Sequence, residues 1–450
     1  MTLLDPPVHL LPGERIERVQ ELDLVDPPDP PDALHELCIL TGVERPEEIG
    51  ENGPAIGARV TEANAAEDSL RLFEIVFGRD SLTVALIVAD LFPRLLEATV
   101  EHLARYQGSR YDAMREEEPG RIAHEIRDIE TDGIWGFPYY GSVDATPLFI
   151  RAAVRAIERR PEFRARVDAA LDAAVAWLLR RLADDELGLL SHHRVNPLGL
   201  ENQVWKDSWD SMSHADGSVC NHGAPVASVE AQALAFDALH EAAPLHAGPQ
   251  VLLEAAARLE RSVEEHLWLD DPEGGFYAIG IDRDPASGAP RPLATRASNM
   301  GWLLGSRLLH GPDLESRRRR IVELLFSDEL LAGGGIRTLS SREARFRPRA
   351  YHNGNVWACD NYLISLGLEQ RGFRDEAQEL RQRIAADCRS THRYPEFVAG
   401  GEPGSELIAK RIVDVYDDVN DRMNRIEQPP QEIQGWTVAA MVAIEHGAAG

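Results

Sequence analysis

The sequence predicts an all-α fold: six helical hairpins closed into a toroid behind an irregular leader. Three observations carry this. From about residue 80 onward, apolar residues recur at spacings of three and four over segments of 12–25 residues, the period of a helix with one buried face. Period-2 alternation over four or more residues is nearly absent, which disfavours strands. Polar loops rich in aromatics return about every 60–70 residues with a helix pair between them.

The elements follow in order. Residues 1–60 are irregular, with a Pro-rich run at 26–32 and a Gly/Glu/Pro-rich stretch at 44–57, and read as an extension packed on a body formed by 61–450. Helices are predicted at 81–106, 144–159, 163–183, 225–243, 249–267, 298–310, 314–328, 354–371, 374–388 and 434–447. Leu171, Ala174, Val175 and Leu178 form one apolar stripe, and Val251, Leu252, Ala255 and Leu259 another. Such stripes mean core and imply no ligand. The connecting loops converge on one face in a toroid and line a concave pocket.

Bulk composition narrows the function. With 75 acidic and 47 basic residues the formal charge is −28, which repels nucleic acid and anionic membranes and favours neutral or cationic ligands. The apolar runs at 82–89 and 438–444 fall far short of the roughly 20 residues that span a bilayer. The first twenty residues lack the basic start and apolar stretch of a signal peptide, so a cytoplasmic location is expected. Cys38, Cys220, Cys359 and Cys388 show no CxxC spacing and read as free thiols. Histidines occur without metal-ligand spacing, so neither a metal nor another cofactor is expected.

The most informative stretch is 202–217, which gathers Trp205, Lys206, Asp207, Trp209, Asp210, His214 and Asp216 in one polar loop. Aromatic faces suit the C–H faces of a pyranose, and carboxylates grip hydroxyls and move protons, so this loop reads as a sugar site. Lys206 and Lys410 are the only lysines in the chain. Six of the eight tryptophans (135, 205, 209, 302, 357 and 436) sit in or just after polar segments, whereas core filling would place them on helix stripes, as for Trp177 and Trp268. Asp80 reads either as an N-cap for the helix at Leu82 or, paired bidentate with Arg79, as a clamp on vicinal hydroxyls. Gln434 reads equally as a helix start and as a hydroxyl contact, and Asp216 as a turn cap.

The series FGRDSL (77–82), YYGSVDATPLF (139–149), NQVWKDSWDSMSHADG (202–217), GIRTLSS (335–341), YHNGNVWACDN (351–361), PEFVAG (395–400) and IQGWTVAA (433–440) resembles the catalytic domain of the amylo-alpha-1,6-glucosidase, or glycogen debranching, family. The resemblance runs in order from about residue 70 to the C-terminus. It implies an (α/α)6-barrel glycoside hydrolase that inverts the anomeric centre, with the proton donor in a Trp-x-Asp motif and the base in a Pro-Glu-Leu/Phe motif. Carried over, these are Asp207 and Glu396, with Asp210 the rival donor. The same resemblance assigns Arg79, Asp80, Tyr140, Asp144, His352, Asn353, Trp357 and Asp360 to the subsite for the terminal sugar. Trp205, Trp209 and Trp436 are expected as stacking surfaces, Lys206 is expected to face a sugar hydroxyl or Asp210, and Glu125 to border the aglycone side. The substrate expected is a short α-glucoside, with 1,6 linkages the family's suggestion, and the only partner is that small molecule. The alternatives are a hydrolase of glucosylglycerate or mannosylglycerate, a sugar epimerase using His214 and His352, a phosphorylase, which Glu396 in its motif argues against, and a non-catalytic sugar-binding barrel.

Overall fold

The computed structural model describes residues 32–60, 73–127, 136–401, 411–417, 422–428 and 430–447. The leader up to residue 31 and Trp135 therefore lie outside the described residues. Helices α1 (Ala33–Leu40), α2 (Gly78–Ile87), α3 (Pro93–Arg105), α4 (Ala145–Arg159), α5 (Arg164–Asp184), α6 (Val229–Ala242), α7 (Pro249–His266), α8 (Glu315–Leu325), α9 (Ala358–Gln370), α10 (Arg374–Thr391) and α11 (Gly435–His446) are joined by a 3-10 segment at Ser298–Gly305.

Their packing closes a ring. In turn, α2 packs on α4, α4 on α6, α6 on the 3-10 segment, that segment on α9, α9 on α11, and α11 on α2 again. Outside this inner ring, α3, α5, α7, α8 and α10 each back the inner element that precedes them, and α1 backs α11. This is the (α/α)6 toroid.

The two layers differ in sequence as they differ in burial. In α7 only Leu252, Ala255, Ala256, Leu259 and Val263 are buried, the one-sided stripe of a surface helix. In α2 every residue but Leu86 is buried, and α11 is buried from Gly435 to Ala443, so these inner helices are buried on nearly all sides, including polar residues such as Arg79 and Asp80 in the first turn of α2. Close contact explains two glycines. A Cβ on Gly367 of α9 would lie 2.5 Å from the Gly305 nitrogen, and one on Gly78 would overlap the Ala123 carbonyl oxygen.

Three expectations are corrected. The single helix at 81–106 is two, because the chain turns after Val88 and restarts with Pro93 at the first helical position. The helix at 298–310 is a 3-10 segment of eight residues followed by a shorter 3-10 turn. Helix α1 falls in a stretch read as irregular, held by Asp32, whose side chain caps the Leu34 amide.

Short strands tie down the entrances to the inner ring. Four two-residue strands run directly into inner helices: β2 (Val76–Phe77) into α2, β4 (Ala227–Ser228) into α6, β9 (Val356–Trp357) into α9 and β13 (Ile433–Gln434) into α11. Their partners are β3 (Glu125–Ile126), β7 (Gly280–Arg283), β10 (Phe397–Val398) and β1 (Ala58–Arg59). Elsewhere β5 (Trp268–Leu269) pairs with β6 (Phe276–Tyr277), β8 (Pro290–Leu293) with β7, and β11 (Arg411–Asp417) with β12 (Arg422–Gln428). Each pairing pins a strand-to-helix junction, which fixes the side chains of the first helical turn. Among the described residues no helix is long and apolar enough to cross a membrane, and all four cysteines are free and buried.

Candidate active site

Three of those junctions, at the starts of α2, α9 and α11, surround a cavity together with the 202–217 loop. Its walls include Arg79 and Asp80 from α2, Trp205 and Asp207 from the loop, Tyr351, His352 and Trp357 before α9, Glu396 before β10, and Gln434 and Trp436 at the start of α11. Phe73, Phe77 and His124 complete the described lining. Asp207 and Glu396, 189 residues apart in sequence, thus line one shared space, and both are buried.

Each carboxylate is held by its surroundings. Asp207 Oδ2 accepts from Arg79 Nη2 at 3.1 Å, while Arg79 Nη1 donates to Asp144 Oδ2 at 3.3 Å. Asp80 Oδ1 lies 3.6 Å from Arg79 Nε, so one guanidinium serves three carboxylates. Burial opposes the Arg79 charge, but Asp144, Asp207 and Asp80 together outweigh it and hold its pKa above the ordinary value. Burial pushes Asp80 up to about 6, Arg79 pulls it back, and Asp207 and Asp144 add to the rise. Glu396 Oε1 accepts from the Tyr351 hydroxyl, and its Oε2 accepts from the Gln431 amide at 3.2 Å. Tyr351 has no counterpart among the sequence expectations, although it stands in the YHNGNVW motif beside His352.

Aromatic rings form the rest of the wall. Trp205 meets the edge of Trp357 at 5.8 Å and His352 at 5.6 Å, and Trp357 meets Trp436 at 5.7 Å. His352 Nδ1 lies 2.8 Å from the Ser208 hydroxyl. Gln434 caps α11, its Oε1 accepting from the Gly435 amide at 3.0 Å, so it is both a helix start and part of the lining.

Several expected residues lie elsewhere. Lys206 is fully buried and turned away from the cavity, donating to the Thr338 carbonyl at 2.5 Å with its ammonium 5.2 Å from the Trp205 ring centroid. It faces neither a sugar hydroxyl nor Asp210. Burial lowers its pKa, offset by Asp360 and Glu230, and burial raises Glu230 in turn. Asp360 lies beneath the lining, where Trp302 Nε1 donates to it at 2.6 Å, and Trp302 stacks on the far side of Trp205 at 6.0 Å. Asp210 is paired with Arg345 at 2.8 Å, and the Arg345 guanidinium also lies over Trp209, which places both outside the described lining. The rival proton donor is therefore not at the cavity. Asn353 donates to the Asp210 carbonyl, and the Tyr140 hydroxyl donates to the Tyr106 carbonyl at 2.7 Å; neither lines the cavity among the described residues. Asp144 acts behind the wall through Arg79 and Ser142.

The expected bidentate Arg79–Asp80 clamp is a single longer contact, because the guanidinium's two hydrogen bonds go to Asp144 and Asp207. Asp80 is no N-cap either: α2 begins at Gly78, which places Asp80 in its first turn. Asp216 does cap its turn, accepting from the Ser218 amide at 2.8 Å. Glu125 is buried against Arg127 at 3.0 Å and is pushed up to about 7 by burial, with Arg127 opposing and Asp207 adding. His214 pairs with Asp282 at 3.1 Å away from the cavity, so the histidine pair an epimerase requires is not assembled from His214 and His352. Among the described residues no group of three or more metal-binding side chains is present.

The chain resembles solved structures along nearly its whole length. The mannosylglycerate hydrolase of Thermus thermophilus in complex with Tris superposes at a TM-score of 0.60 with 15% identity, covering 94% of this chain and 100% of that one. The same enzyme with Tris and D-glycerate gives 0.62 at 16% identity, covering 92% and 99%. Its complex with glucose gives 0.61 at 16% identity, again covering 92% and 99%. At such identities the likeness is one of fold. No curated protein matches the chain. A family model does: the mannosylglycerate hydrolase MGH1-like glycoside hydrolase domain spans residues 78–398, from the first residue of α2 to the last of β10. The comparisons thus uphold the six-hairpin glycosidase architecture without returning the debranching family. The chain belongs to the MGH1-like glycoside hydrolases.

Proposed function

We propose that the chain hydrolyses a small α-glycoside of the glycosylglycerate type, a hexopyranose joined to glycerate, with inversion. The observation that carries this is the shared cavity of Asp207 and Glu396. Asp207 donates a proton to the glycosidic oxygen as the bond to the anomeric carbon breaks, and Glu396 takes a proton from the water that attacks the opposite face. Arg79 orients Asp207 through Oδ2, and Tyr351 with the Gln431 amide orients Glu396, so neither carboxylate must reorganise during the reaction. Beside this pair, burial pushes Asp80 up to about 6, so the cluster around Arg79 holds one carboxyl that stays protonated well above the usual carboxylate range.

The lining supports a small substrate. Three indole rings and both carboxylates converge on one compact space, which suits one sugar unit with a short aglycone better than a glucan chain. An anionic aglycone is compatible with the −28 formal charge because the positive dipole ends of α2, α9 and α11 open on the cavity. The family matched, and the glycerate and glucose held by the similar enzyme, point the same way.

The test is sugar release from glucosylglycerate, mannosylglycerate, isomaltose, panose, maltose and sucrose, with the anomer of the fresh product read by proton NMR. The expected result is turnover of a glycosylglycerate to the β-anomer, and a loss of about 10³-fold in kcat for both Asp207→Asn and Glu396→Gln. Preference for isomaltose or panose would restore an α-1,6-glucosidase reading, and full activity in either variant would remove that residue from its role.

A further inference from the structure

Lys206 stands between Trp205 and Asp207 in sequence, yet its side chain runs the other way, into the wall behind the cavity. A fully buried ammonium is costly and persists only where its surroundings meet it. Three kinds of contact do so. Its Nζ donates to the Thr338 carbonyl at 2.5 Å. Asp360 and Glu230 supply opposite charge, and the centroid of the Trp205 ring lies 5.2 Å from the ammonium. The main chain of the same residue is tied as well, its carbonyl accepting from the Ser211 hydroxyl at 2.5 Å.

The anchor is itself fixed. The Thr338 carbonyl also accepts from the Ser298 amide at 3.3 Å, its amide donates to the Asn355 carbonyl at 2.9 Å, and its hydroxyl accepts from the Gly354 amide at 2.9 Å. Thr338 is therefore the point where the 3-10 segment meets the chain entering β9. Asp360 and Glu230 are held in the same way, Asp360 by the Trp302 indole at 2.6 Å and Glu230 by the Asn299 amide group at 2.7 Å. Trp302 in turn stacks on Trp205 at 6.0 Å, so Lys206, Asp360, Trp302 and Trp205 close a circuit behind the wall.

We propose that Lys206 is a positioning residue for the proton donor: its tether to Thr338 fixes the backbone between Trp205 and Asp207 and so keeps the Asp207 carboxyl within reach of the glycosidic oxygen. The proposal rests on the reading of Asp207 as that donor. The side chain suits the task. Only two of the 47 basic residues are lysine, and an ammonium is a compact charge whose three donors can face a carbonyl and two acids at once. A guanidinium is larger and holds its donors in one plane.

The test compares two leaving groups. Glycerate departs with a proton from Asp207, whereas fluoride departs from a glycosyl fluoride with far less help. Kinetics are measured on the best glycosylglycerate and on the α-fluoride of the same hexose, for the wild type, Lys206→Met and Lys206→Arg, each checked for native fold by circular dichroism. Lys206→Met keeps the length of the side chain and removes its charge. It is expected to lower kcat on the glycosylglycerate about 10- to 100-fold, with KM and the fluoride rate changed by no more than about threefold. Lys206→Arg keeps the charge and misplaces its donors, so it should show the same selective loss at smaller size. It carries the test alone if the methionine variant fails to fold. Unchanged glycosylglycerate turnover in the variant that carries the test overturns the proposal, as does an equal loss on both substrates, the mark of a merely structural role. A wild type that hydrolyses neither substrate sinks the hydrolase reading and this proposal together, whereas either of the other results in an active enzyme sinks this proposal alone.

Discussion

The inner ring has two ends, and both enclose space. At the ends where the helices begin lies the cavity lined by Asp207 and Glu396. Toward the other end lies a larger space, bounded by Leu86 and Ile87 of α2, Leu148 and Arg151 of α4, Leu234 and Asp237 of α6, Trp302 and Leu366. The larger space has a structural cause. The fourth inner position is filled by a 3-10 segment of eight residues where α4 has fifteen and α6 fourteen, so the ring is under-filled on that side. Its charged groups are already matched: Arg151 with Glu241 at 3.2 Å, Arg155 with Asp90 at 3.1 Å, and Asp237 with the Ser306 hydroxyl at 3.0 Å. In the smaller cavity, both ring nitrogens of His124 and the indole nitrogens of Trp205 and Trp436 are buried without hydrogen-bond partners among the described residues. Volume therefore does not mark the site; polar groups awaiting a partner do.

Substitutions at the two ends test this contrast. The largest expected effect is Glu396→Gln, a loss of about 10³-fold in kcat/KM with little change in melting temperature, read by parallel kinetic and thermal assays. Next is Asp80→Asn. The folded pKa of Asp80 is about 6 against an ordinary 3.8. Below about pH 4 the group is protonated in both folded and unfolded chains, and the shift costs nothing. As pH rises through 6 the fold must bury an ionised carboxylate, at a cost of at most about 3 kcal/mol. The asparagine variant should thus unfold at higher denaturant than wild type at pH 8, the gap should close by about pH 4, and sugar turnover should fall. A third substitution, Tyr351→Phe, removes one support of Glu396 and should lower kcat/KM by about 10- to 100-fold without altering the anomer produced. The smallest effect belongs to the far end, where Leu366→Ala should cost about 1 kcal/mol of stability and leave kcat/KM within about twofold. A larger kinetic effect there would break the contrast, since the stacked Trp302 and Trp205 are the route by which the two ends touch.

The legible part of the molecule was its repetition. Outer helices such as α7 declare themselves through a single stripe, and the spacing of the polar loops encodes the hairpins. The strands that pin the inner helices escaped notice because two residues are too few to show an alternating pattern. In the site, the motifs led to Asp207 and Glu396, but adjacency in sequence misled around them. Trp205 and Asp207 face the cavity, so Lys206 between them points the other way, and Trp209 and Asp210 lie beyond it. His124 and Tyr351 needed the fold. The one signal for His124 was a histidine and a glutamate inside the apolar run Ile122 to Ile126, which marks polar groups forced into the interior.

The pairing of α1 with α11 has a consequence for assembly. The backing for the last inner helix comes from the opposite part of the sequence, and β1 pairs with β13 beside Gln434, whose successor Gly435 donates its amide to the Gly57 carbonyl at 2.8 Å. A wall of the cavity is thus a clasp between distant stretches of chain, and such long-range closure slows folding. Unlike a solenoid, which remains sound when shortened by a repeat, this ring gains its candidate site only when the circuit is complete.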